Sequence, residues 1–130
     1  MPVASILIVD DEEIIRESLR CRLGTGEYEL HFATCSEAAL EILGKERIDI
    51  VISDNVMPGG MVGVQFLRVV SHLHPEVVRI MLTGQGSLQT AVDAINKGEV
   101  FRFLEKPWSD QELQAVLRSA CKRIPKPRGC

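Results

Sequence analysis

No stretch of the 130-residue chain is apolar for the length of a membrane span, and Met1-Pro2-Val3-Ala4-Ser5 holds no basic residue ahead of the first apolar run. Neither an anchor nor a secretory leader is supported, so the cytoplasm is the expected compartment. Basic residues are not in excess: 15 Lys and Arg stand against 18 Asp and Glu, a formal net charge of −3. That balance argues against direct nucleic-acid binding or a membrane-surface role. Cys21, Cys35, Cys121 and Cys130 lack the close pairing that zinc sites and dithiol motifs need. They read as free thiols, and His72 and His74, without a third ligand, do not make a metal site. Internal repeats and low-complexity segments are missing as well, and the length suits one domain that buries about two-thirds of its unfolded surface.

What is present is a series of buried strands that end in polar residues. Ile48-Asp49-Ile50-Val51-Ile52-Ser53-Asp54 is mostly β-branched and lacks polar alternation, as in a parallel strand covered on both faces. It delivers Asp54 to its own end, where Asn55 to Gly60 break into a loop. Ser5–Val9 is a second such strand and ends in Asp10-Asp11-Glu12-Glu13. Ile14, Ile15, Leu19 and Leu23 then recur at helical spacing, with Gly24 as the stop. Tyr28–Phe32 is a short strand, and Ser36 is expected to cap a helix closed by Gly44. From Gly63, residues Val64, Leu67, Val70 and Leu73 mark a helix that His74-Pro75 terminates.

Val77–Leu82 is the next strand, delivering Thr83-Gly84-Gln85-Gly86 to the same edge. Leu88, Ala91, Val92 and Ile95 form a helix ending near Lys97-Gly98. Val100–Leu104 is a fifth strand tipped by Glu105-Lys106-Pro107, and Ser109 opens a last helix in capping-box register with Glu112. Five strands alternating with five helices predict an α/β doubly wound parallel sheet, (βα)5, because right-handed crossovers place helices on both faces. The expected domain covers residues 1–124. Residues 125–130, with two prolines and a glycine in Pro125-Lys126-Pro127-Arg128-Gly129-Cys130, read as the start of a linker.

All the loops that follow strands lie at one edge in such a sheet, which is where open α/β folds bind ligands. The polar residues gathered there are Asp10, Asp11, Asp54, Thr83 and Lys106. Three carboxylates repel one another unless a cation joins them, and an oxygen-only site suits Mg2+. Taken alone, the Asp10-Asp11 pair is equally an acidic cluster favoured by a helix N-terminus. Lys106 discriminates, since a lysine at the tip of an apolar strand can pair with Asp54 or with an anion attached to it. A carboxylate nucleophile, a divalent ion, an ammonium and a hydroxyl are the parts that phosphoryl transfer to an aspartate uses.

Val9-Asp10-Asp11, Asp54 with Met57-Pro58, Thr83-Gly84 and Lys106-Pro107 resemble the receiver domain of two-component response regulators, from Ser5 to about Arg123. The resemblance implies the flavodoxin-like strand order 2-1-3-4-5. It implies that Asp54 accepts a phosphoryl group from a histidine kinase or phosphotransfer protein, and that Asp11, Asp54 and the Val56 carbonyl ligate Mg2+, with Asp10 acting through water. Lys106 would contact the phosphoryl group, Thr83 would swing towards it, and Phe103 would be the aromatic that turns inward. The chain would then catalyse only its own phosphorylation and dephosphorylation, controlling a C-terminal output domain outside this sequence, with a homodimer as an option. Residues Asn96 to Trp108 look like receivers joined to cyclic-dinucleotide phosphodiesterases of the HD type, or to transcriptional activators and kinases of similar build. One departure is the loop from Met57 to Gly63, which is a residue longer than usual and has Val62 where an Asp is common. Rival readings are a haloacid-dehalogenase-like phosphatase, a flavin-binding flavodoxin, whose phosphate Asp10–Glu13 would repel, and a pseudo-receiver that acts only as an interaction module.

Overall fold

Apolar runs without polar alternation are stable only where both faces of a sheet are covered. Accordingly, in the computed structural model, which describes residues 2–55, 63–84 and 88–125, strands and helices alternate from end to end. The order among the described residues is β1 (Ala4–Val9), α1 (Glu13–Leu23), β2 (Tyr28–Ala33), α2 (Ser36–Lys45), β3 (Ile50–Asp54), α3 (Gly63–Leu73), β4 (Val78–Thr83), α4 (Leu88–Asn96), β5 (Arg102–Glu105) and α5 (Asp110–Cys121). The strands form one parallel sheet in the order β2-β1-β3-β4-β5. Both the fold class and the strand order are as expected. All five strands therefore end along one edge.

Period-two alternation divides the core between the faces. Ile6, Ile8, Ile50, Ile52, Ile80 and Leu82 pack against Leu19 and Leu23 of α1 and Leu113 and Leu117 of α5. Leu7, Val9, Val51 and Met81 pack on the opposite face against Leu43 of α2, Phe66, Leu67 and Val70 of α3, and Ala91 and Ala94 of α4. Each large side chain fully removed from water stabilises the fold by about 2 kcal/mol. Phe66, absent from the expected stripe, is completely buried, whereas Leu73 is exposed. Ile14 is likewise exposed, because the inward row of α1 runs through Ile15, Leu19 and Leu23 at four-residue spacing.

Two helix ends differ from expectation. Ser36 is the first residue of α2 and is buried, with Cys35 in the capping position and no side-chain cap bond. Packing on the sheet fixes that end in place of a hydroxyl cap. Gly44 lies inside α2, and the extended backbone of Glu46, whose N–H donates to the Ile42 carbonyl at 2.8 Å, stops the helix without a left-handed residue. The Ser109 capping box is present: Glu112 N–H donates to Ser109 Oγ at 3.1 Å, and Ser109 N–H to Glu112 Oε1 at 3.4 Å. Residues 126–130, in the linker expectation, lie outside the described residues.

Candidate functional site

Strand parity sorts the site residues. Ile6 and Ile8, Ile50 and Ile52, and Leu104 face α1 and α5, so the residues next in phase, Asp10, Asp54 and Lys106, are brought to that side of the edge. Met81 and Phe103 belong to the other layer, with α4, and Thr83 follows Met81 in phase.

The first group meets. Lys106 Nζ donates to Asp54 Oδ1 at 3.3 Å and lies 3.6 Å from Glu12 Oε1 and 3.9 Å from Asp10 Oδ2. Asp10 is fully buried and Asp54 nearly so, while Lys106 keeps about a quarter of its side chain in water. Asp10 Oδ1 accepts the Glu12 N–H at 2.9 Å, and the Asp10 carbonyl accepts from Arg16 Nη1 at 2.9 Å. Asp10 Oδ2 has no hydrogen-bond partner among the described residues and only the Lys106 ammonium at 3.9 Å. Burial pushes the Asp10 carboxyl up to about 6; the Glu12 N–H bond and the Lys106 ammonium oppose this, while the charges of Asp54 and Glu12 add to it.

Carboxylate oxygens of Asp10, Glu12 and Asp54 all lie within 4.8 Å of one another. Such an all-oxygen set, with one buried oxygen that accepts no hydrogen bond among the described residues, fits a hard divalent cation. Glu12 was not among the expected residues, although it extends the same acidic run. Asp11 is exposed and outside this trio, and makes no side-chain hydrogen bond or ion pair among the described residues. The Val56 carbonyl and the long loop after Asp54 lie outside the described residues.

Gly63, at the start of α3, is a second site residue that sequence reasoning passed over. Its N–H donates to the Asn55 carbonyl at 2.8 Å, and a Cβ there would fall 2.1 Å from the Asp54 carbonyl oxygen and 2.6 Å from Asn55 Cα. Only glycine lets the helix approach the end of β3 so closely. Gly84, by contrast, has open space around it.

On the other face, Thr83 is fully buried, and its hydroxyl donates to the Leu104 carbonyl at 3.5 Å. Phe103 is half-buried against the α2–α4 layer, two residues from Glu105, the register partner of Thr83. The Lys106 N–H donates to the Thr83 carbonyl at 2.7 Å, so the tips of β4 and β5 are joined directly. Beside Lys106 lies a cavity of about 490 Å3 between α1 and α5, lined by Ile15, Arg22, Trp108 and Leu113. Arg22 and Asp110 pair across it at 3.4 Å. Trp108 packs on the core at that point. No helix among the described residues is long and apolar enough to cross a membrane.

A family profile described as "Response regulator receiver domain" matches residues 6–118. An NtrX-like response regulator of Rickettsia bellii is 34% identical over 123 residues, covering 94% of this chain and 26% of its own length. The response regulator protein PilR of Pseudomonas aeruginosa is 34% identical over 116 residues, 89% of this chain and 26% of that protein. The chain thus spans about a quarter of the length of these curated relatives. Among solved structures, the signal receiver domain of an HD domain-containing protein from Pseudomonas fluorescens Pf-5 superposes with a TM-score of 0.88 at 39% identity, over 95% of this chain and 90% of that one. The receiver domain of NtrX from Brucella abortus gives 0.85 at 31% identity, over 90% and 98%.

Proposed function

The chain belongs to the response regulator receiver domain family, and on that premise we propose that Asp54 accepts a phosphoryl group from the phosphohistidine of a kinase or phosphotransfer protein. The observation that carries this is the Lys106 ammonium held 3.3 Å from Asp54 Oδ1 beside a buried oxygen of Asp10 that accepts no hydrogen bond among the described residues. One Asp54 oxygen attacks phosphorus as the bond to the histidine nitrogen breaks, and the bonding pair leaves with the imidazole. Lys106 then offers its N–H donors to a phosphoryl oxygen, moving from a carboxylate to a more highly charged anion. Mg2+ would be held by Asp11, Asp54 and the Val56 carbonyl, with Asp10 through water, and would neutralise charge between the carboxylate and the incoming phosphoryl group. Among the described residues Asp11 holds no pair that recruitment would break, whereas Glu12 would have to leave Lys106. Apart from its own phosphorylation and dephosphorylation the domain turns over no substrate.

The signal is a population shift. A phosphoryl oxygen near β4 competes for the Thr83 hydroxyl, whose bond to Leu104 is long, and Phe103 and α4 repack as Thr83 moves. An output domain reads that surface. The run from Asn96 to Trp108 suits both an HD-type and a transcriptional output, and the 39% identity with a receiver from an HD domain-containing protein supports the first.

Incubation with Mg2+ and acetyl phosphate, followed by intact mass, tests the acceptor. One phosphoryl group is expected on the wild type and none on Asp54→Asn. Label on Asp54→Asn would refute the assignment, and steady release of phosphate from unrelated esters would favour a phosphatase.

A further inference from the structure

The far end of α4, away from Asp54, is tied down by charge. Gly98 sits in the left-handed region at φ 76°, its N–H donating to the Ile95 carbonyl at 3.0 Å while the Glu99 N–H donates to the Ala94 carbonyl at 2.9 Å. This pair of bonds is a Schellman end, which satisfies the last carbonyls of α4. The Glu99 side chain, almost completely buried, then turns to α3, where Arg68 Nε donates to its Oε2. Glu99 Oε1 has no hydrogen-bond partner among the described residues.

Arg79 of β4 grips the same segment from below. Its Nε donates to the Glu99 carbonyl at 2.9 Å and its Nη2 to the Gly98 carbonyl at 3.2 Å. Its Nη1 donates to the carbonyls of Val77 at 2.9 Å and Pro75 at 3.4 Å. One guanidinium thus joins the α3–β4 and α4–β5 connections, and a second joins Glu99 to α3. Hydrophobic attachment of α4 is slight in comparison. Its fully buried residues are Ala91 and Ala94, against Phe66, Leu67 and Val70 on α3. A helix held by two small buried side chains and the partly buried Ile95 is free to move wherever polar ties do not hold it.

We propose that Arg68, Glu99 and Arg79 form the fixed pivot of the switch. They pin the C-terminal end of α4 to α3 and β4, so that a displacement started at Thr83 turns the helix about that end and does not slide it along the sheet. This rests on the phosphoryl-acceptor reading of Asp54. The pivot makes the response graded along α4, large beside Thr83 and small at Glu99, and leaves the start of β5 in register while its tip moves.

Backbone amide NMR of the full chain with Mg2+, with and without beryllofluoride, tests this in the wild type, Arg68→Ala and Glu99→Gln. In the wild type, shift changes are expected at Thr83 and Gly84, fading towards Ala94 and Glu99. In both variants the changes at residues 94–100 are expected to grow at least about threefold, and amide exchange at Gly98 and Glu99 without beryllofluoride to quicken about tenfold, with β1 and α5 unaltered. Arg68 is half-exposed, so its truncation leaves the core intact. A wild-type Glu99 amide that moves as much as Thr83, or variants that behave as the wild type, overturns the pivot alone. No wild-type response to beryllofluoride at all overturns the acceptor reading, and the pivot with it.

Discussion

Asp10 is a carboxyl group in a place where its charge is unwelcome without a cation. Its folded-state value of about 6 lies above the ordinary 3.8 of an aspartate, so the folded protein holds this proton more tightly than the unfolded chain does. The resulting contribution to stability is fully present below about pH 4 and is lost as pH rises through about 6. In metal-free buffer at pH 7, Asp10→Asn is therefore expected to stabilise the protein by about 2 kcal/mol, since Asn retains the acceptor for the Glu12 N–H while removing the charge. Urea unfolding at pH 5 and pH 7 with chelator checks this, and the gain should shrink at the lower pH. A variant no more stable than the wild type at pH 7 would contradict the argument. Whether Asp11 or Glu12 serves the cation is a second question at this scale. Asp11→Asn is expected to weaken Mg2+ binding, followed by Trp108 fluorescence, about tenfold or more, and Glu12→Gln by about threefold, because Glu12 already has Lys106 as a partner. Glu12 was not legible in the sequence as a site residue. Its approach to Lys106 depends on how the chain turns after β1, and neither spacing nor residue type records that turn.

Strands and helices were legible because their apolar residues recur at clear periods, and strand parity alone places Asp10, Asp54 and Lys106 on one side and Thr83 and Phe103 on the other. The helix ends were less so. A serine before an apolar run suggests a cap, yet Ser36 is drawn into the core. A glycine near the end of a run suggests a stop, yet Gly44 stays helical because Glu46 ends α2 by extending. Two residues at element scale were not legible from periodicity: a glycine that lets α3 approach the end of β3, and an isoleucine left uncovered on α1. Gly63→Ala must displace the start of α3 or the end of β3, given the 2.1 Å approach to the Asp54 carbonyl oxygen. A loss of about 2 kcal/mol in unfolding free energy is expected, together with weaker beryllofluoride binding. An alanine variant with unchanged urea midpoint and affinity would show that α3 enters by another route. Ile14, 80% exposed on α1 two residues from Glu12, supports nothing inside the domain. Ile14→Ala should change stability by less than about 0.5 kcal/mol and leave labelling by acetyl phosphate intact. Slower labelling would place Ile14 in the chemistry instead.

At the scale of the molecule the sheet separates the proposed acceptor from the proposed response. Asp54, Lys106 and the acids lie on the α1–α5 side, while Phe103 and α4 lie on the other, so a phosphate on Asp54 would not push the α4 layer directly. On the proposed reading Thr83 is the crossing point: it is buried at the tip of β4, in phase with Met81 on the α4 side, and its backbone carbonyl is bonded to Lys106. Its hydroxyl bond to Leu104, at 3.5 Å, is at the long limit of hydrogen bonding and is cheaply given up. Exchange for a phosphoryl oxygen gains a charge-assisted bond of about 1.5–3 kcal/mol. That is enough to move a two-state equilibrium about tenfold or more, though short of a complete reversal. The chemistry on Asp54 needs none of this. Thr83→Ala is accordingly expected to take up the phosphoryl group as the wild type does, yet to lose most of the beryllofluoride-induced change at Phe103 and α4. Thr83→Ser, which keeps the hydroxyl, should retain both. Amide shifts at Phe103, read beside intact mass on the same samples, separate the two functions. A full Phe103 response in Thr83→Ala would mean that the signal crosses the sheet by another path, such as the Lys106 backbone bond.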